Sequence, residues 1–146
     1  MKALLISRCL LGAPCRYDGK SKPLAAETLQ ALRARYDLIP VCPEVLGGLP
    51  TPRTPSERQG SRVVMKTGAD VTKEYRRGAE AALQAARENH VCAAVLKERS
   101  PSCGKGKIYD GTFTGTLTKG NGVTADVLLN AGFTVYGESE IETVRK

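Results

Sequence analysis

Cys9 ends a short apolar run and leads through a glycine-containing loop to Cys15 and Arg16, in the stretch "CLLGAPCR". A cysteine followed by such a loop and an arginine suggests a thiol phosphatase, with Cys9 as nucleophile and Arg16 gripping phosphate. The segment between them, Leu10 to Cys15, is one residue longer than that pattern. A general acid is also hard to find, Asp110 in "YDG" being the weak candidate. Cys9 therefore needs another explanation, and the other cysteines supply one. Cys42 lies in "VCPE", two residues before Glu44, and Cys103 lies in "SPSCG" beside Ser100 and Ser102.

The elements that carry these residues alternate between strand-like and helix-like patterns. "KALLIS" (2–7), "LIPVC" (38–42), "VCAAVLKE" (91–98) and "FTVYGE" (133–138) read as strands. "PLAAETLQALRARY" (23–36) carries Ala25, Leu29, Leu32 and Tyr36 at helical spacing, with Pro23 in its first turn. "DVTKEYRRGAEAALQAARENH" (70–90) is a longer helix with Asp70 as its cap, and "GVTADVLLNAGF" (122–133) a third, closed by Gly132. "SRVVMKTGAD" (61–70) suits a hairpin or edge strand. This alternation predicts one α/β domain over 1–146, a three-layer α/β/α arrangement with a mostly parallel, Rossmann-like sheet. Two long segments, 43–60 and 99–122, break the rhythm. Long irregular segments in a compact domain usually serve function.

In a parallel sheet all strand carboxyl ends lie along one edge, where ligands bind. Cys9, Cys42 and Cys103 each follow a strand end, so they are expected to converge. Cys92 starts its strand at the opposite edge and reads as a small buried hydrophobe. His90, the single histidine, sits at a helix end on that far edge, which disfavours a zinc site of three thiolates and one imidazole. An all-thiolate zinc site completed by Cys15 and an iron–sulfur cluster both remain open at this point. A carboxylate at Glu44 beside a negatively charged cluster is suited to exchanging protons near neutral pH.

The net charge of +7 favours anionic partners such as nucleotides, phosphate or RNA. The aromatic content of 5%, without tryptophan, argues against an aromatic-rich RNA-binding sheet. Five cysteines, an odd number, argue against a disulfide framework. The opening segment reads as a strand rather than a signal peptide, and no apolar run is long enough to span a membrane, so a cytoplasmic protein is expected.

"CLLGAPCRYDGKSK", "VCPEVLGGLPTPR" and "LKERSPSCGKGKIYDGTFTGTLTKGNGVTADVLLNAGFTVYGE" together resemble the thiouracil desulfidase family, over nearly the whole chain and in the family's order. Of that family, the chain is most similar to the short, single-domain members. The resemblance implies a [4Fe-4S] cluster with three cysteine ligands, Cys9, Cys42 and Cys103, and one iron lacking a protein ligand. It implies Glu44 as acid/base and Ser100 as its assisting serine, with Arg16 and Ser102 as substrate-binding candidates. The implied reaction is non-redox: a thiolated pyrimidine base or nucleotide plus water gives the oxo compound plus sulfide, with tRNA a possible substrate. On that scheme Cys15 is a buried thiol outside the ligand set. Lys20, Lys22, Arg53, Arg58, Lys105 and Lys107 are further candidates for phosphate contacts near the active edge. The chain departs from the family at Arg8, where a small residue is more common. Two other readings compete: a thiol phosphatase using Cys9, and a non-catalytic RNA-binding module stapled by a metal or cluster.

Overall fold

The structure, a computed structural model, describes residues 1–145. Its centre is a four-stranded, wholly parallel sheet in the order β2-β1-β5-β8. These strands are β1 (Lys2–Ser7), β2 (Tyr36–Val41), β5 (Ala93–Leu96) and β8 (Val135–Gly137). β1 alternates its side chains between two cores. Leu4 and Ile6 face α1 (Ala26–Arg35) and α5 (Ile141–Arg145), with Leu32, Val95 and Val144. Leu5 faces α3 (Thr72–Glu88) and α4 (Val123–Asn130), with Leu83, Ala86, Leu96 and Leu128. The chain is therefore a three-layer α/β/α protein. It winds outward from β1 in both directions, through α1 to β2 and through α3 to β5. Right-handed crossovers in opposite directions put α1 and α3 on opposite faces. The switch point lies between the ends of β1 and β5, and a crevice opens there.

Boundaries differ from the sequence pattern where tertiary contacts decide them. β2 begins at Tyr36 rather than inside a helix, because the Tyr36 hydroxyl donates to the Val144 carbonyl at 2.9 Å across to α5. The third sheet strand is only Ala93–Leu96. Cys92 precedes it and is exposed, which corrects the expectation of a buried residue. It lies between buried Val91 and Ala93 with its side chain turned outward, and its main chain donates to the Ala3 carbonyl at 2.9 Å. Asp70 does not cap α3 as the residue before its first turn. It lies one residue further out, accepting from the Thr72 N–H at 2.9 Å. Gly132, at φ 92, ends the α4 segment as expected.

The two irregular segments contain structure of their own. The first holds the short helix α2 (Pro43–Leu46), and β3 (Ser56–Gln59) pairs antiparallel with β4 (Arg62–Met65) in the hairpin expected near 61–70. The second holds a hairpin of β6 (Lys107–Tyr109) and β7 (Leu117–Lys119). α2 and α3 meet through glycines. A β-carbon on Gly78 would overlap the Pro43 carbonyl, and one on Gly47 would overlap the Glu74 carbonyl. Alanine normally improves a helix interior by about 1 kcal/mol over glycine. Here the added methyl meets rigid backbone. Gly78→Ala is thus expected to destabilise the protein by about 1–3 kcal/mol in denaturant unfolding. A raised melting temperature would contradict this close approach.

Candidate active site

Three strand ends deliver three cysteines. After β1 the chain makes one tight helical turn, Arg8–Leu11, which holds Cys9 and closes at Gly12 in the left-handed conformation, φ 99. After β2, Cys42 immediately precedes α2, where Pro43 occupies the first helical position. After β5 the loop 99–104 carries Cys103. That loop is docked on the start of α4: the Pro101 carbonyl accepts from Val123 N–H at 2.9 Å and the Ser102 carbonyl from Thr124 N–H at 2.8 Å. Ser100 folds it internally, its Oγ accepting the N–H groups of Ser102 and Cys103, each at 3.0 Å. Gly122 has no room for a β-carbon against the Ser102 carbonyl, so the loop sits directly on the helix start.

Cys9, Cys42 and Cys103 all line one cavity of about 520 Å³. They are 7%, 8% and 5% exposed, so the convergence expected from the sheet's topology is realised with buried thiols. Cys15 joins them. It too lines the cavity, and its carbonyl accepts from the Cys42 thiol at 3.7 Å. All five cysteines are free thiols. Burial pushes the Cys103 thiol up to about 12. The Cys15 hydrogen bond, then burial, raises Cys42 far above the ordinary thiol range. For Cys15 the bond from Cys42 lowers the value, but the bond to Cys9 and burial outweigh it and the net shift is upward. The bare Cys15, Cys42 and Cys103 thiols are therefore protonated at neutral pH. A metal group must displace those protons, so loading with iron and sulfide is expected to accelerate steadily as the pH is raised above neutrality. Visible absorbance followed during anaerobic reconstitution checks this, and a pH-independent rate would contradict it.

Glu44 lines the cavity from the first turn of α2 and is held on both carboxylate oxygens. The Tyr75 hydroxyl of α3 donates to Oε1. Arg53 lies 3.5 Å from Oε2. Tyr75 is 1% exposed, and burial, then the Glu44 charge, pushes its phenol above the ordinary tyrosine range, so it is a fixed donor. Arg53, expected as a phosphate contact, is instead committed inside the protein. It donates to the Cys15 carbonyl at 3.0 Å, the Pro50 carbonyl at 3.1 Å and the Thr51 hydroxyl at 3.2 Å. It thereby ties the Cys15 loop to the carboxylate.

Ser100 lines the cavity as expected; its oxygen accepts two N–H bonds and its own hydrogen is left to donate. Ser102 does not reach it. Ser102 is wholly buried and its Oγ pairs with Thr124 Oγ1 at 2.7 Å, which corrects its assignment to substrate. A buried hydroxyl needs a partner, and α4 provides it. Asp110 is committed to its own turn, accepting from the Thr112 N–H and hydroxyl, which hold its carboxyl below the usual range; this removes the general acid a phosphatase would need. Arg58 pairs with Asp126 at 2.6 Å and Lys105 with Glu140 at 3.1 Å, so neither is a free phosphate ligand. Lys20 and Lys107 do not line the cavity, whereas Arg16 and Lys22 do. With them stand Arg8, the chain's departure from the family, and Lys66 and Arg99, missed by sequence pattern, and none of the five forms an ion pair among the described residues. His90 is exposed at the end of α3, at φ 50, away from the site.

Among the described residues no three Cys, His, Asp or Glu side chains gather tightly enough for a single metal ion. A cluster spreads its thiolates over several irons, so buried cysteines around a shared cavity fit a polynuclear iron–sulfur group better than mononuclear zinc.

Residues 4–140 match the profile of the family described as 2-thiouracil desulfurase. The chain belongs to the 2-thiouracil desulfurase family. Among proteins similar to this desulfurase-family chain is YbbK of Bacillus subtilis (strain 168), described as uncharacterized. It is 41% identical over 151 residues, covering 97% of this chain and 99% of YbbK. Among solved structures, the [4Fe-4S]-dependent thiouracil desulfidase TudS superposes with a TM-score of 0.94 at 47% identity, covering 98% of this chain and 95% of that one. The α/β layers and the cavity at the sheet's carboxyl edge are thus those of a 2-thiouracil desulfurase family member. No helix is long and apolar enough to cross a membrane, among the described residues.

Proposed function

We propose that this protein is a [4Fe-4S]-dependent desulfidase of thiolated pyrimidines, converting C=S to C=O with water and releasing sulfide. The observation that carries the reading is the convergence of Cys9, Cys42 and Cys103 on the cavity that Glu44 also lines. These three cysteines would hold the cluster, with Cys15 outside the ligand set. Bound there, the cluster would supply a soft Lewis acid for the thiocarbonyl sulfur.

The chain's own residues do the proton work. Glu44, fixed by Tyr75 and Arg53, takes a proton from the attacking water, whose oxygen forms the new bond to the ring carbon. It then returns that proton to the departing sulfur as the C–S bond breaks, and the second water proton leaves the new hydroxyl as the carbonyl forms, so the net change is water in and hydrogen sulfide out. Ser100 donates its free hydrogen to the water or the ring. Arg16, with Lys22 and Arg99, gives the mouth a positive field that holds an anionic substrate such as a thiouridine nucleotide. Cytoplasmic placement fits five unpaired cysteines, and the reading treats 1–146 as one desulfidase domain.

The test is anaerobic reconstitution followed by sulfide assay with 2-thiouracil, a 4-thiouridine nucleotide and thiolated tRNA side by side. The expected protein is brown, with about four irons per chain, and releases sulfide from at least one pyrimidine. A fully loaded protein that releases none from any of the three would defeat the proposal.

A further inference from the structure

The wall of the cavity contains an unusual share of the protein's aromatics. The chain has five tyrosines and two phenylalanines. Three of these seven, Tyr17, Tyr109 and Phe113, line the cavity. Phe113 differs from the other two in how its backbone is held. Its φ is 59, in the left-handed region that a bulky side chain rarely occupies. Such a conformation persists where surrounding contacts over-determine it.

Those contacts are present. Glu57 of β3 accepts from the Gly111 N–H at 2.9 Å and the Phe113 N–H at 3.2 Å with the same oxygen. Gln59 donates to the Gly111 carbonyl at 2.8 Å. Gly111 itself is pressed on β3, where a β-carbon would come within 2.9 Å of the Arg58 carbonyl. The hydroxyls of Thr112, Thr114 and Thr116 chain together at 2.7 and 2.8 Å. Two hairpins are thus locked together, and the residue at the crest of the locked loop is a half-buried phenylalanine on the cavity wall. Its ring has no polar atom to satisfy. Packing alone would not require this costly backbone for a side chain that contributes to none of the hydrophobic cores.

We infer that Phe113 is a specificity-determining residue whose ring stacks on the flat pyrimidine ring of the substrate. The inference rests on the desulfidase reading for the substrate's class. It accounts for the ring, whereas the cysteines account for the sulfur and the basic rim for any phosphate. An aromatic face selects planar rings with little regard to their hydrogen-bonding edge.

The test uses the cluster-loaded full chain and two ligands without sulfur, uracil and dihydrouracil. They share a hydrogen-bonding edge, but only uracil is planar. Phe113→Asn keeps a residue that tolerates the left-handed backbone and removes the ring. Phe113→Tyr keeps the ring. By equilibrium dialysis, the wild type and Phe113→Tyr should prefer uracil over dihydrouracil. Phe113→Asn should bind uracil about 5- to 150-fold more weakly and lose that preference. With thiouracil its KM should rise by a similar factor while kcat stays within about threefold. Unchanged uracil affinity in Phe113→Asn, or no uracil binding by the wild type, would overturn the inference. Thiouracil turnover with an unaltered KM in Phe113→Asn would sink the stacking role alone. Ring preference through Phe113 without any sulfide release would sink the desulfidase reading and leave the stacking role standing.

Discussion

Cys103→Ala is expected to leave a folded protein that neither retains a [4Fe-4S] cluster nor releases sulfide. The loop around Cys103 does not depend on the thiol. It is fixed by Ser100 Oγ, by the carbonyls of Pro101 and Ser102 on α4, and by the Ser102–Thr124 pair. Losing one buried sulfur costs about 1 kcal/mol, comparable to a buried methylene. The circular dichroism spectrum should therefore match the wild type while iron content falls well below about four per chain. Cys42→Ala should behave the same way. Cys15→Ser is the discriminating control. Cys15 lines the same cavity as the three proposed ligands, and proximity alone does not separate it from them. If three thiolates hold the cluster, Cys15→Ser keeps iron, colour and turnover. A variant pattern in which Cys15→Ser loses the cluster and Cys103→Ala keeps it would reverse the ligand assignment. Cys92→Ala, altered at an exposed position beyond the opposite sheet edge, should change nothing.

The cysteine convergence was legible because it depends on strand ends, and strand ends follow from short apolar runs. Once β1, β2 and β5 are parallel, Cys9, Cys42 and Cys103 share an edge whatever the details of packing. Glu44 was legible for the same reason, two residues past Cys42. What holds Glu44 was not. Tyr75 lies on the buried face of α3, and its hydroxyl points at Glu44 only because Gly47 and Gly78 let two helices touch. That approach leaves no periodic signal. Arg53 read as a phosphate contact because it lies in a long basic loop near the active edge; here three carbonyl and hydroxyl acceptors and a carboxylate engage a side chain 2% exposed. Ser102 erred the other way. Adjacent loop serines look alike in sequence, but one faces the cavity and the other faces α4. The β6–β7 hairpin was missed because its strands are three residues each and half polar, too short to show a period.

Glu44→Gln is expected to lower kcat by about 10²- to 10⁴-fold with the cluster intact, the range for removing a positioned general acid/base. The amide keeps the side chain's shape and can still accept from Tyr75, so the cysteine at the head of α2 should stay in place. What it loses is the ability to take and return a proton. It also leaves the buried Arg53 without its carboxylate, at about 1–3 kcal/mol of stability. Arg53 retains its three other acceptors, so the fold should persist at assay temperature. Tyr75→Phe separates the two consequences. It leaves the carboxylate and its Arg53 neighbour but removes the donor on Oε1, so Glu44 remains able to move a proton and is held less firmly. Its kcat should fall by about tenfold, far less than for Glu44→Gln, with KM nearly unchanged. Iron content and visible absorbance should match the wild type in both variants. If Glu44→Gln turned over thiouracil at the wild-type rate with a full cluster, the proton would have to travel by another group, and Ser100 would be the remaining candidate beside the cysteines.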